Sequence, residues 1–231
     1  MTTVSIIIPA YNEEKTIIQV LKQVQAQQSD TISLEVIVVD DGSTDGTAKL
    51  IEANRKLVAH YIRQPQNRGK GAAVKAGLQA ATGDFVLFQD ADLEYNPVDY
   101  GKMFKPLQLF DADVVMGSRM VAPEYTRVSY FWHKLGNRTI TFIFNIINNT
   151  TFTDIYSCYL LFRRRLVNPD ELQTEGWEQH AEILSLAVAR GEKLYEVPIS
   201  YHGRTYAEGK KIKAYHAAAI IWTILKRRIL R

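Results

Sequence analysis

Short apolar runs alternate with amphipathic stretches over the first half of the chain, at spacings that separate strands from helices. Val4 to Ile8, Leu34 to Val39, His60 to Ile62, Phe85 to Gln89 and Asp113 to Gly117 are brief runs rich in β-branched or aromatic residues, the pattern of buried strands. Between them apolar positions recur at helical spacing, predicting helices near Glu14 to Gln27, Asp45 to Arg55, Gly71 to Ala81 and Pro97 to Phe110. Strand and helix in alternation predict a mostly parallel sheet covered on both faces, a Rossmann-like three-layer α/β/α sandwich. The right-handed crossover leaves few ways to thread it. After Ser118 the pattern changes to longer aromatic and basic stretches, helical over Tyr130 to Ile147 and again over Glu178 to Arg190, where Gly191 ends the helix. A strand from Lys193 to Val197 follows, and Pro198 opens an exit loop. No linker, repeat or low-complexity tract divides the chain, so residues 1–231 are expected to form one domain with halves 1–118 and 119–231.

The chain has 231 residues, 46% of them hydrophobic, enough for one sizeable core. A net charge of +3 is too mild to imply nucleic acid, and no nucleic-acid motif is present. The distribution of charge is more informative. From Thr126 to Thr153 there is no Asp or Glu, while Arg127, His133, Lys134 and Arg138 lie among Tyr130, Phe131, Trp132, Phe142 and Phe144. A second acid-free stretch follows Glu208 and carries Lys210, Lys211, Lys213, Lys226, Arg227, Arg228 and Arg231. Such segments suit the interface of an anionic membrane; they equally suit core-facing helices with a solvated basic face, or contact with a partner subunit. No apolar run reaches the ~20 residues that cross a bilayer, and Ala217 to Leu225 is far too short. With Cys158 as the single cysteine no intrachain disulfide can form, and a reducing, cytoplasmic setting is expected. Val4 to Ile8 is a strand closed by Pro9 with no basic leader, so no signal peptide is expected.

The chemistry gathers where strands run out. Val39-Asp40-Asp41-Gly42-Ser43 and Asp90-Ala91-Asp92 each place two carboxylates at the carboxyl end of a strand, where open α/β sheets hold ligands. Asp40 and Asp41 can accept hydrogen bonds from a base imide or a ribose hydroxyl; Ser43, Thr44 and Asp45 suit a helix cap. Asp90 and Asp92, alternate residues of an extended segment, can present hard oxygens to one Mg²⁺ or Mn²⁺ that also holds a diphosphate, with Glu94 a possible further ligand. Pro9, Tyr11 and Glu13 leave the first strand with a rigid turn, an aromatic face and a carboxylate beside any bound base. Asn67-Arg68-Gly69-Lys70-Gly71 fails as a Walker motif but sets Lys70 at a helix amino terminus, a softer anion site. The loop from His202 to Lys211 has two glycines and three cations beyond its histidine and suits an anion clamp. His60, His180 and His216 lack metal-ligand spacing and are expected to be structural.

These segments resemble the family-2 glycosyltransferases of GT-A fold, and within them the branch that glycosylates polyprenyl phosphates, such as dolichyl-phosphate mannose synthases and bactoprenol glucosyltransferases. The motifs that carry the resemblance are Ile8-Pro9-Ala10-Tyr11-Asn12-Glu13, Val39 to Ser43, Asp90 to Glu94, Gly117-Ser118-Arg119, Thr153 to Tyr159, and Glu196 to Tyr201 leading into Arg204 and Gly209-Lys210-Lys211. The resemblance implies that Pro9, Tyr11, Glu13, Asp40 and Asp41 bind the nucleoside. It implies that Asp90, Ala91 and Asp92 bind ribose, diphosphate and metal, with Glu94 as an extra metal ligand. Arg119, Arg204 and Lys210 become phosphate contacts, and His133, Lys134 and Asn137 fall where the lipid phosphate is received. Where relatives carry a Phe-Glu-Pro-Glu-like segment, this chain has Trp177-Glu178-Gln179-His180-Ala181-Glu182.

The implied reaction is an inverting single displacement on a nucleotide-sugar of the UDP-glucose or GDP-mannose type, with a polyprenyl or dolichyl phosphate as acceptor. Asp92 and Arg119 would act on the leaving diphosphate. A phosphate monoester, with a second pKa of ~6, is already an anionic nucleophile at neutral pH. An acceptor hydroxyl would need a base, for which Asp154 is the first candidate and Glu182 the second, although Asp154 can equally orient the sugar or cap a helix. Two alternatives stay open: transfer to a saccharide or other hydroxyl, and a non-catalytic nucleotide-sugar-binding subunit that works with a membrane protein. Homo-oligomerisation also remains open.

Overall fold

The computed structural model describes residues 1–121, 131–203 and 216–229. Seven strands, β1 (Thr2–Ala10), β2 (Ile32–Asp40), β3 (His60–Arg63), β4 (Phe85–Phe88), β5 (Val114–Ser118), β6 (Leu160–Arg163) and β7 (Leu194–Pro198), join in one sheet of order β3-β2-β1-β4-β6-β5-β7. All pairings are parallel except those of β6, which runs antiparallel between β4 and β5. The central strands are apolar on both faces: Ile6, Ile7 and Ile8 on β1 and Ile37 and Val38 on β2 are fully buried, as a sheet covered by helices on both sides requires.

The helices are α1 (Ile17–Gln25), α2 (Thr47–Ala53), α3 (Lys70–Ala80), α4 (Tyr100–Phe110), α5 (Phe131–Asn148), α6 (Gln179–Arg190) and α7 (His216–Ile229). The alternating α/β reading of the first half holds throughout. Both α1 and α2 start later than their apolar periodicity suggests, because the residues ahead of them are tied to one another. Glu14 Oε2 accepts from Gly46 N at 2.7 Å, and Glu13 N donates to Thr47 Oγ1 at 2.9 Å. Helix α3 lies against β1 and β2 so closely that a Cβ on Gly77 would stand 2.5 Å from Ile7 Cγ2.

Strand β6 is an addition to the predicted elements. Its apolar run, Cys158 to Phe162, stops at Arg163, Arg164 and Arg165 and lies in a half whose longer segments read as helical. Its direction matters for the site. Because β6 runs opposite to its neighbours, its amino end lies at their carboxyl edge, so the segment Asp154 to Tyr159 enters the sheet beside the end of β4. The hydrogen bond from Gly117 N to Tyr159 O, 2.8 Å, fixes that entry.

Candidate active site

At the ends of β1 and β2 the two acids of Asp40-Asp41 divide their work. Asp40 is fully buried; its Oδ1 accepts from Ser43 N at 2.8 Å and its Oδ2 from Tyr61 Oη at 3.1 Å. It braces the turn and does not line the cavity at the sheet edge. Asp41 does line the cavity, together with Pro9, Tyr11 and Glu13. Burial pushes its carboxyl up, while bonds from Arg68 N (2.8 Å) and Gly69 N (2.9 Å) act to lower it. Asp41 therefore organises the loop that leads into α3. Gly42 makes this approach possible: its φ is +71° and a Cβ there would lie 2.6 Å from the backbone of Gln66. Ser43 and Thr44 bond to Asn12, whereas Asp45 Oδ1 takes the capping contact from Thr47 N at 2.9 Å.

Beyond β4, Asp90, Ala91 and Asp92 line the same cavity. Lys70, at the start of α3, is ion-paired with Asp90 Oδ1 and stands 5.5 Å from the centre of the Trp177 ring. Burial alone would raise the Asp90 pKa, but Lys70 holds the carboxyl below its usual range. Asp92 Oδ1 accepts from Glu94 N at 3.1 Å, in a turn that places Leu93 at φ +61°. Glu94 Oε2 accepts from Tyr201 Oη at 2.8 Å, and its carbonyl accepts from His202 N at 2.9 Å. Among the described residues no three acidic, histidine or cysteine side chains gather as a metal cage. Glu94 thus pairs with Tyr201 through one oxygen and lines the same cavity as Asp90 and Asp92. Two carboxylates facing a diphosphate-sized cavity still suit a divalent cation of the Mg²⁺ type, which completes its shell with phosphate oxygens and water.

A second, inner cavity continues past Asp90 and shares Lys70, Asp90, Glu94 and Trp177 with the outer one. Its walls are Val74, Phe88 and Ile183, with Cys158, Gln179, His180 and Arg119 adding polar atoms. Arg119 is held by Asp154 in a bidentate pair, Nε to Oδ2 at 2.6 Å and Nη2 to Oδ1 at 2.8 Å, and its guanidinium lies 4.9 Å from the centre of the Tyr201 ring. Asp154 is fully buried and also accepts from Asn137 Nδ2 at 2.8 Å. Burial would raise its pKa, yet the Arg119 guanidinium keeps the carboxyl below the usual range. Asp154 lines neither cavity, and its carboxylate anchors Arg119. Asn137, grouped with the acceptor contacts by its place in the chain, serves this same anchor.

Glu182 is likewise drawn away from the cavities. It is 1% exposed and accepts from Thr174 N at 3.0 Å, Thr174 Oγ1 at 2.6 Å and Arg227 Nε at 2.8 Å. Burial raises and these bonds lower its pKa, with a net lowering. The second candidate base is thus the clamp that fastens α7 to α6. Lys134 is exposed and His133 half-buried, and neither lines the cavities. Arg204 and Lys210 lie outside the described residues. His60 pairs with Glu35 (3.3 Å) at the sheet edge and is structural, as expected. His180, expected to be structural, lines the inner cavity against Phe88 and Tyr156, and burial, aided by Lys70, lowers its pKa to about 4. Trp177 and Gln179 were equally without an assigned role; the available signal was an aromatic and two polar side chains just where a helix begins.

Sheet order, the strand-end acid pairs and the cavity between them define a glycosyltransferase of GT-A fold. Residues 5–169 match the model of the family described as "Glycosyl transferase family 2", and the chain belongs to that family. A UDP-N-acetylglucosamine–dolichyl-phosphate N-acetylglucosaminyltransferase of Methanococcus voltae is 30% identical over 215 residues, 84% of this chain and 83% of that protein. The glycosyltransferase AglJ of Haloferax volcanii is 32% identical over 229 residues, 97% of this chain and 71% of that protein. In three dimensions the fold matches glucosyl-3-phosphoglycerate synthase from Mycobacterium tuberculosis, solved with Mn²⁺, UDP and phosphoglyceric acid, at a TM-score of 0.71 and 21% identity over 98% of this chain and 78% of that one.

Proposed function

We propose that this chain is a metal-dependent, inverting hexosyltransferase that moves a sugar from a nucleotide-sugar to a polyprenyl phosphate. The observation that carries the acceptor assignment is the state of Asp154 and Glu182: both carboxylates that the sequence offered as candidate bases are buried in pairs with arginine. An alcohol would need one of them free; a phosphate monoester, with a second pKa of ~6, brings its own charge. The dolichyl phosphate in the name of the Methanococcus voltae relative supports the same acceptor.

In this reading the nucleoside lies in the outer cavity against Tyr11, Glu13 and Asp41. Asp90 and Asp92 would hold the divalent cation, which supplies charge neutralisation for the departing diphosphate. Lys70, fixed beside Asp90, adds a positive charge that needs no reorganisation as the negative charge develops. Arg119, kept rigid by Asp154, faces the reaction from the Tyr201 side. The acceptor oxygen attacks the anomeric carbon as the nucleoside diphosphate leaves.

Access to a lipid phosphate is supported by the apolar outer faces of α5 and α7, which pack side by side. Phe131, Leu135, Phe142 and Ile146 form one stripe on α5 with Trp132 beside it, and Trp222 and Ile229 lie on α7; all are exposed, Trp132 and Ile229 by 75%. Exposed Lys134, Arg138 and Arg228 border them and suit a peripheral contact with anionic lipid. Lys226 and Arg227 do not contribute to that face, since they bond to Gln173 and Glu182. No helix among the described residues is long and apolar enough to cross a membrane.

The test is transfer itself. Purified protein with Mn²⁺ or Mg²⁺, a short polyprenyl phosphate and labelled UDP- and GDP-hexoses should carry label into the organic phase from one donor. Asp90→Ala and Asp92→Ala should each lower the rate at least ~100-fold, the scale of a lost transition-state contact of ~3 kcal/mol. Label found only in free sugar or in a saccharide would overturn the lipid-phosphate reading.

A further inference from the structure

The two cavities meet at Asp90, which gives them an order along a bound donor. With the nucleoside beside Tyr11 and Asp41 and the diphosphate at Asp90 and Asp92, whatever is attached beyond the diphosphate enters the inner cavity. Two polar atoms await a partner there. Gln179 is 2% exposed, and its Nε2 donates to Thr174 O at 2.9 Å, which fixes the carboxamide and leaves Oε1 buried without a hydrogen-bond partner. His180 Nε2 is likewise buried and unpartnered, and its ring is wedged between Phe88 (6.3 Å) and Tyr156 (6.1 Å). Both residues line the inner cavity. Buried polar atoms without partners are rare in folded proteins and cost about 1–3 kcal/mol each, so two of them on neighbouring residues that line one cavity mark a place where a ligand completes the bonding.

Resting on the glycosyltransferase reading above, we infer that Gln179 and His180 are the specificity-determining residues for the transferred sugar. Gln179 Oε1 accepts a hydrogen from a hydroxyl or acetamido group of the hexose, and His180 Nε2 bonds a neighbouring ring substituent. The fixed carboxamide explains why this pair can discriminate: Thr174 O dictates which end of the amide faces the sugar, so a substituent in the wrong configuration leaves both atoms unpaired. The Trp177 ring at the mouth offers an apolar face to the sugar's C–H groups.

The experiment is calorimetric titration, with Mn²⁺ present, of wild type, Gln179→Met and His180→Phe against a panel of UDP- and GDP-hexoses and against UDP and GDP alone. Each variant should weaken the preferred nucleotide-sugar roughly tenfold, the value of one hydrogen bond to a buried group, and compress the preference over its epimers. Affinity for the bare nucleotide should stay within about twofold. Equal losses for the bare nucleotide would mean that the two side chains only support the fold, and unchanged donor affinities would mean that the sugar bonds elsewhere; either result overturns the inference. If Gln179→Met fails to fold, His180→Phe decides alone. Wild type that binds no nucleotide-sugar would instead remove the glycosyltransferase reading beneath it.

Discussion

Asp154 makes the case that a carboxylate's role follows from its partners. Removing one member of a buried ion pair leaves the other charge uncompensated, so Asp154→Ala should lower the unfolding free energy by about 3–5 kcal/mol in urea titrations, and the double variant Arg119→Met/Asp154→Leu should recover much of it. The pH–rate profile should rise through about pH 6 with the acceptor phosphate and show no further limb from a carboxyl base. His180 gives a second test at this scale. Its imidazole stays neutral in the folded protein down to a pKa of about 4, whereas the unfolded chain takes up a proton near ~6.5. Between those values the unfolded state binds more protons, so stability falls with pH, by about 2 kcal/mol from pH ~7 to pH ~5. His180→Phe should flatten that slope in metal-free protein. The acid pairs were legible in the sequence because strand ends announce themselves. That Asp41 lines the cavity and Asp40 does not was not legible, because Tyr61 from β3 captures Asp40, and tertiary partners leave no mark on local sequence.

The alternation of the first half was readable at the level of elements because each strand and helix there buries a continuous or periodic apolar set. Strand β6 escaped because its short apolar run, Cys158 to Phe162, carries no period and lies among segments that read as helical, yet its reversed direction delivers Asp154 to Tyr159 to the site. Loop and helix contacts are equally silent in sequence. A Cβ on Gly71 would collide with the backbone of Glu175, beside the Gly176 and Trp177 that line both cavities. Gly71→Ala should therefore cost about 1–3 kcal/mol of stability in urea titrations, the range of an overpacked contact, and weaken nucleotide-sugar binding in the same protein. At the far side, α7 is held by Arg227 on Glu182 and on Glu171 O (2.5 Å). Arg227→Ala leaves Glu182 buried without its cation, and hydrogen exchange should show α7 opening well before the sheet.

The molecule as a whole pairs a polar, charged cavity at the sheet edge with an apolar surface on α5 and α7. Acid-free aromatic stretches announce that surface in the sequence; the split between its outward residues and the inward Ile220, Ile224 and Arg227 needed the packing. Vesicles containing anionic lipid should sediment the wild type, and Trp132→Ser/Trp222→Ser should reduce the bound fraction about tenfold with the fold intact by circular dichroism. Failure of the wild type to bind such vesicles would separate this surface from the acceptor. The central claim, a phosphate acceptor that needs no protein base, is tested most directly by offering the enzyme a polyprenyl phosphate and its dephosphorylated alcohol in one reaction with the donor it prefers. The account predicts label on the phosphate alone, with Asp154→Asn slowing transfer through the loosened Arg119 but removing no limb of the pH–rate profile. Label on the alcohol, abolished by Asp154→Asn in folded protein, would contradict it.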